Sequence, residues 1–233
     1  MPKVSVVIVD YGKGLLRDCL DSLAVQTFRD FETIIVNNNL INRGFAGGCN
    51  EGIRKAKGEY IALLNNDARA ERRWLEWLVK AADMFPKAGM FSSMVIRPDG
   101  KCESCGCYVY PDGNGMCFAR TGTRFLPSMG AQWFPSGCAA LYRRSMFDQI
   151  GLFDESFFMY NEDTELGIRA NRAGWEYIFV PMAIVTHQGS RNTLKKLYYV
   201  ERNRIKIMMK HFTWRQIVAS VPWTIRRYLK GGR

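Results

Sequence analysis

A chain of 233 residues, 47% hydrophobic and 24% charged, suits one α/β domain with an extension and is too apolar for a disordered segment. The formal net charge of +11 lies wholly in residues 190–233, which hold 12 Lys/Arg against one acid, Glu201; residues 1–189 balance 21 bases with 21 acids. A neutral body with a basic tail directs the tail to an anionic partner, phospholipid or nucleic acid. No stretch approaches the roughly 20 apolar residues needed to cross a bilayer. The apolar run Val4–Val9 is too short for a secretory core, and seven cysteines, an odd number, argue against a complete secreted disulfide framework. These features predict a reducing, cytoplasmic setting.

Val4–Val9 reads as a buried strand, followed by a helix over Leu15–Ala24 with Leu16, Cys19, Leu20 and Leu23 on one face. Phe31–Val36 reads as a second strand, Ala46–Lys57 as a helix burying Ala46, Cys49, Ile53 and Ala56, and Tyr60–Leu64 as a third strand. Trp74, Leu75, Leu78 and Ala82 mark the next helix. Such alternation predicts a mostly parallel sheet with right-handed crossovers, which binds ligands beyond the carboxyl ends of its strands. Asp10, Asn37 and Asp67 fall at those ends. From Gly89 the pattern changes to short β-like pieces (Met90–Arg97, Cys105–Tyr110, Met116–Ala119, Gln132–Phe134), expected as an irregular lobe beside the sheet. A helix near Glu162–Ala173 and a strand at Tyr177–Val180 follow.

Helical spacing puts Asp163 on the face of Leu166, Ala170 and Ala173, at the first turn, where acids also favour the helix dipole. Glu165 and Arg169 read as a solvated i,i+4 pair. In Asn65-Asn66-Asp67 an oxygen donor precedes an Asp by two residues at a strand end, a pattern that suits a hard divalent cation or a simple Asx turn. His187 closes an apolar run and, taken alone, is as readily a loop histidine as a ligand.

Together these segments resemble the family 2 glycosyltransferases of GT-A fold, in particular the bacterial rhamnosyltransferase-like branch, over roughly residues 3–210. The resemblance is carried by Val-Ser-Val-Val-Ile-Val at 4–9, Cys-Leu-Asp-Ser-Leu-Ala-Val-Gln-Thr at 19–27 and Asn-Arg-Gly-Phe-Ala-Gly-Gly-Cys-Asn at 42–50. It continues through Gly-Glu-Tyr-Ile-Ala-Leu-Leu-Asn-Asn-Asp at 58–67, Gly-Leu-Phe-Asp-Glu-Ser-Phe-Phe-Met-Tyr-Asn-Glu-Asp at 151–163, Arg-Ala-Gly-Trp at 172–175 and Tyr-Tyr-Val-Glu-Arg-Asn at 198–203.

The resemblance implies a Rossmann-like, mostly parallel sheet flanked by helices. It implies a nucleotide-sugar-binding half over 1–88, an acceptor and catalytic half over 89–190, and a basic helical extension over 191–233. Asp163 would be the general base of an inverting transfer, with Glu162 its neighbour, and Asp67 and His187 would hold Mg²⁺ or Mn²⁺ beside the diphosphate. Substrate contacts are expected from Asp10, Asn37, Asn42, Gly44, Phe45, Asn65, Asn66, Gly137, Trp175 and Arg202. The acceptor would be a saccharide or lipid-linked saccharide in cell-surface polysaccharide or glycolipid synthesis. The chain departs from the family where the second strand ends Asn37-Asn38-Asn39 and Gly44 follows almost at once, so that an α/β unit of the nucleotide region is absent. A non-catalytic sugar-nucleotide-binding scaffold is the alternative that this departure raises.

Cys102, Cys105, Cys107 and Cys117 could form a zinc knuckle or merely a cysteine-rich hairpin. The tail mixes Lys/Arg with Leu197, Tyr198, Ile205, Trp214, Trp223 and Tyr228, a composition suited to the bilayer interface; residues 195–212 read equally as a helix packed on the catalytic domain, and membrane contact is expected past Trp214, with Pro222 interrupting the pattern. Peripheral attachment at the inner face of the cell membrane is the expectation; the neutral body and acidic site argue against nucleic acid.

Overall fold

The computed structural model describes residues 1–12, 14–117, 132–189 and 193–229. In chain order its elements are β1 (Val4–Asp10), α1 (Leu16–Ala24), β2 (Phe31–Asn37), α2 (Gly44–Lys55), β3 (Tyr60–Leu64), β4 (Ala68–Ala70) and α3 (Trp74–Met84). Then come β5 (Ala88–Ile96), β6 (Cys102–Ser104), β7 (Cys107–Val109), β8 (Gly115–Cys117), β9 (Trp133–Phe134), β10 (Ala139–Arg143) and α4 (Arg144–Ile150). A short 3₁₀ turn (Glu155–Phe157), α5 (Glu162–Arg172), β11 (Glu176–His187), α6 (Leu194–His211) and α7 (Trp214–Leu229) complete the described chain.

The main sheet runs β2-β1-β3-β10-β5-β11-β4, with β6 paired to β5. β1, β2, β3, β5 and β11 are mutually parallel, and β10 and β4 run against them. Alternation along each strand divides the core into two layers. Val4, Val6, Ile8 and Ala62 meet α1 and α3 through Leu23, Trp74 and Leu78. Val7, Val9, Ile61 and Leu63 meet α2, α4 and α5 through Cys49, Ile53, Phe147 and Leu166. The expected strands and helices up to α3 are all present, within two residues at most ends. Met90–Arg97 was expected in the irregular lobe; it lies instead within β5, a nine-residue strand of the main sheet. Its pairing with β10 and β11 explains why it is nearly all buried.

The smaller sheet, β8-β7-β9, forms the irregular lobe. Cys107 and Cys117 are joined there as a disulfide across β7 and β8. That bond consumes two of the four sulfurs a zinc knuckle would need, and Cys102 and Cys105 pair with each other at 2.9 Å. The zinc reading is therefore not met. Residues 118 and 119 of the expected strand lie outside the described residues.

The basic tail folds back as a helical pair. Arg227 on α7 bonds Asp112 Oδ2 at 2.9 Å and the Glu201 carboxylate of α6, while Arg204 donates to Asp112 O at 3.0 Å. α7 is continuous through Pro222, which does not interrupt it. α6 also changes the reading of Glu165, which is 0% exposed and not part of a solvated pair. Arg169 Nε, Lys210 Nζ and His211 Nε2 reach its carboxylate at 2.9, 2.6 and 3.0 Å. Burial alone would raise this carboxyl, but the hydrogen bonds from His211 and Lys210 and the Arg169 charge outweigh it and hold it down at about 2. A carboxyl depressed in the folded state contributes stability above its unfolded pKa and loses it as pH falls from about 4.5 to 2. Glu165→Gln is expected to lose about 3 kcal/mol at pH 7. In urea titrations that deficit should shrink towards zero near pH 2; a deficit independent of pH would refute the assignment.

Candidate active site

The carboxyl ends of the parallel strands converge on one edge of the sheet. Asp10 and Asn37 end β1 and β2 in register, Asn65–Asp67 follow β3, and His187 ends β11. β10 runs the other way, so its leading residues Gly137 and Cys138 arrive at the same edge, where Asn65 N donates to Cys138 O at 2.9 Å. The N-termini of α2 and α5 face this edge too, bringing Gly44, Phe45, Glu162 and Asp163.

Asp163 is fixed by backbone donors. Gly137 N reaches its Oδ2 at 3.1 Å and Thr164 N its Oδ1 at 2.8 Å. Burial still pushes its carboxyl upward, the hydrogen bonds only partly opposing this. Glu162 is more deeply set, with Oε2 lacking any partner among the described residues. Burial first, then the neighbouring Asp163 charge, raise it to about 8. At neutral pH the pair thus keeps a proton between its two carboxyls.

On the far side of the edge, His187 Nε2 lies 3.2 Å from Asp67 Oδ1, while its Nδ1 faces Glu103 at 3.1 Å. Burial would lower the imidazole, but bonds to Asp67, Cys138 and Glu103 outweigh it and push it up to about 12. Among the described residues no three His, Cys, Asp or Glu gather round one point. Asp67 and His187 fit a divalent cation provided the ion displaces the proton that His187 Nε2 shares with Asp67. Two donors at about 2.1 Å from an octahedral ion lie about 3 Å apart, and an imidazole whose second nitrogen meets a carboxylate is a usual metal ligand. Phosphate oxygens would have to supply the remaining positions.

The other predicted site residues divide into groups. Asn66 Nδ2 and Gly12 N donate to Asp10 Oδ1 at 2.9 and 3.2 Å, so Asn66 orients Asp10. Asn37 Oδ1 accepts from Asn39 N, and Asn42 Oδ1 accepts from Gly44 N, shaping the short β2–α2 loop. Phe45 packs on Gly137, where a Cβ would come within 3.0 Å of its ring. Arg202 donates to Ser156 O at 3.1 Å, behind the loop that leads to Glu162. Trp175 does not belong here. α5 carries the chain away from the edge before β11 returns, leaving Trp175 at the opposite edge, packed on Gly89 and bonded to Gln149 Oε1 at 2.8 Å.

With this geometry in view, the family described as "Glycosyltransferase like family 2" matches residues 34–206. The chain belongs to that family. It is 28% identical to an N-acetylglucosaminyl-diphospho-decaprenol L-rhamnosyltransferase of Mycobacterium tuberculosis, over 96% of this chain and 80% of the relative. It is 29% identical to the O-antigen biosynthesis protein RfbC of Myxococcus xanthus, over 81% of this chain but 17% of that protein. Among solved structures, S. aureus TarS superposes with a TM-score of 0.60 over 88% of this chain and 40% of its own, at 16% identity. GalNAc-T7, solved with UDP, GalNAc and Mn²⁺, gives a TM-score of 0.64 over 90% of this chain and 48% of its own, also at 16% identity. These likenesses make the fold of this glycosyltransferase GT-A, as its sequence led one to expect.

Three residues of the glycosyltransferase have positions that its sequence did not assign to them. Glu103 reaches His187 only because β6 folds back on β5, a hairpin signalled by Asp99-Gly100. Asn38, buried, donates to Gly44 O at 2.9 Å and accepts from Arg43 N at 2.9 Å, bracing the loop. Asn203 is buried on α6 beneath residues 157–160. Phe158, Tyr160 and Asn161 in that stretch have φ of 64°, 67° and 63° without being glycine. Such residues cost on the order of 1 kcal/mol or more each, with Asn the mildest.

Glu162 sets a pH signature. A carboxyl raised on folding contributes stability below its unfolded pKa and loses it as pH rises through its folded value. Thermal midpoints of the wild type are expected to fall between pH 5 and 8 relative to Glu162→Gln. Parallel curves for the two proteins across that range would count against a buried, protonated Glu162.

Proposed function

We propose that this glycosyltransferase moves a sugar from a nucleotide-diphosphate sugar to an acceptor hydroxyl with inversion, in cell-surface polysaccharide or glycolipid synthesis. The observation that carries the reading is Asp163, held by Gly137 N and Thr164 N on the same sheet edge as the Asp67–His187 pair. The two backbone donors occupy part of each carboxylate oxygen and leave lone pairs for an acceptor hydroxyl. As that oxygen attacks the anomeric carbon, Asp163 accepts its proton and the nucleoside diphosphate departs. In this reading the proton of the pair rests on Glu162, so that no second negative charge lies beside the base. Asp67 and His187 would hold Mg²⁺ or Mn²⁺, which when bound neutralises charge on the departing diphosphate. The names of the rhamnosyltransferase and O-antigen relatives support the process and a lipid-linked acceptor for this chain.

General-base help is worth roughly 10²–10⁴ in rate. Asp163→Asn is expected to lose turnover by about that factor in a screen of nucleotide-sugars with Mn²⁺, while donor binding measured by calorimetry stays near wild type. Asp67→Ala, in contrast, should weaken donor binding in the presence of Mn²⁺. Near-wild-type turnover by Asp163→Asn would sink the assignment. The short β2–α2 loop favours one other reading, a sugar-nucleotide-binding scaffold, and donor binding without turnover by the wild type would establish it.

The tail supports a membrane-surface location. Trp214, Val218, Val221, Ile225 and Leu229 recur along one face of α7 and are exposed, Trp214 by 71% and Leu229 by 83%. Leu194, Tyr198, Ile205 and Met209 form a parallel exposed stripe on α6. Among the described residues no helix is long and apolar enough to cross a membrane, and an apolar face with basic flanks suits the interfacial plane. Trp214→Ser with Val218→Ser is expected to release the protein from vesicles containing anionic phospholipid in a flotation assay. Undiminished flotation would show that the stripe does not face lipid.

A further inference from the structure

The loop between Phe157 and Asn161 delivers Glu162 and Asp163 to the site, and it does so in a conformation that side chains resist. Its four carbonyls are claimed from two sides. Phe158 O accepts from Ala46 N of α2 at 3.2 Å. The carbonyls of Phe157, Met159 and Tyr160 all accept from one amide, Asn203 Nδ2, at 2.9, 2.9 and 2.7 Å. Asn203 is 0% exposed and comes from the tail helix α6, more than 40 residues away in the chain. From the loop side, Asn161 Nδ2 answers by donating to Val200 O of the same helix at 3.1 Å. Asn161 O in turn receives the first helical bond of α5, from Glu165 N at 3.0 Å.

A backbone arch with three left-handed residues needs a donor at its centre, because its carbonyls converge and would otherwise repel one another in a buried space. A side-chain amide is the one uncharged group that offers two hydrogens from a single nitrogen, and a shared pair can serve three converging oxygens. Asn fits where Ala would take the side-chain donor from all three carbonyls, leaving Phe157 O only its bond from Met159 N at 2.7 Å, and Asp would set a carboxylate against them. We infer that Asn203 is a positioning residue for the transfer reaction: by gathering the carbonyls of 157, 159 and 160 it holds the left-handed arch that sets the Glu162–Asp163 pair against Gly137. The inference rests on the reading of Asp163 as the base, and it makes the tail helix part of the catalytic framework.

The test uses the full chain, with hydrogen–deuterium exchange and steady-state kinetics on Asn203→Ala, Asn203→Asp and the double variant Asn203→Ala/Tyr160→Gly. Asn203→Ala is expected to exchange the amides of 158–165 roughly tenfold faster or more, consistent with loss of buried hydrogen bonds. The sheet amides should remain as in wild type. Its kcat should fall by about an order of magnitude with donor KM little changed, the split expected when a base is misplaced but the donor site is intact. Asn203→Asp should do the same at nearly constant volume, which covers the case in which the alanine variant folds poorly. Glycine at 160 removes one left-handed penalty and should recover part of the lost kcat. Wild-type protection of 158–165 in both single variants overturns the inference, and so does faster exchange with kcat unchanged. Asp163→Asn run alongside separates the two ideas: if it keeps wild-type turnover, the base assignment fails, while the exchange data still decide what Asn203 holds.

Discussion

The structure turns on the contact between the Phe158 carbonyl and the start of α2. A Cβ on Gly44 would fall 2.1 Å from Phe158 O, and Gly44 has a φ of +72°. No residue with a side chain can stand there, and because none does, Ala46 N closes on that carbonyl. This single approach joins the helix that follows β2 to the loop that precedes α5. The consequence is geometric. Asp10 and Asn37 ride on strands packed against α2, Asp163 rides on α5, and the two sets share one sheet edge because their helices meet through a bare glycine.

Much of this was legible in the sequence, for reasons that differ by region. β1 and β3 are buried on both faces, the edge strand β2 is a short apolar run only partly covered, and α1, α2 and α3 each show an apolar stripe, so hydrophobic pattern locates them, whereas the three residues of β4 are too few to register. β10 was not foreseen, although it sits at the sheet's centre between β3 and β5. Pro135-Ser136-Gly137 marks a turn before it, but five residues fix no partner, and an antiparallel strand inserted among parallel ones obeys no local rule. Asp163, Asp67 and His187 could be singled out because their residue types stand out against apolar surroundings, and the structure brings all three to one sheet edge. Trp175 misled because proximity along the chain to Asp163 is undone by the full length of α5. Glu165 misled because i,i+4 spacing with Arg169 describes an isolated helix, and α6 then covers that face with Lys210 and His211.

The first turn of α5 shows how environment rather than residue type assigns roles to carboxyls. Glu162, Asp163 and Glu165 all sit near a helix N-terminus, which favours negative charge in each case. Glu165 meets the side chains of Arg169, Lys210 and His211 and is held down at about 2. Glu162 meets apolar burial and a neighbouring charge, and rises to about 8. Asp163 has two backbone donors and, among the described residues, no cation bonded to it, and burial pushes its carboxyl upward. A carboxylate locked in ion pairs is too weak a base and one fully desolvated already holds its proton, so of the three Asp163 is the one whose surroundings suit a proton acceptor.

α6 serves both sides at once. Its inward face supplies Asn203 under the arch and Lys210 and His211 to Glu165, while its outward face exposes Leu194, Tyr198, Ile205 and Met209. The faces cannot move independently, because a helix is rigid over a few turns and Arg227 ties α7 to Glu201 on the same element. A tail that only tethered the enzyme could be joined by any flexible linker. Here the exposed apolar stripe and the amide beneath residues 157–160 belong to one helix, so the orientation of the apolar face and the placement of Asp163 are fixed relative to each other.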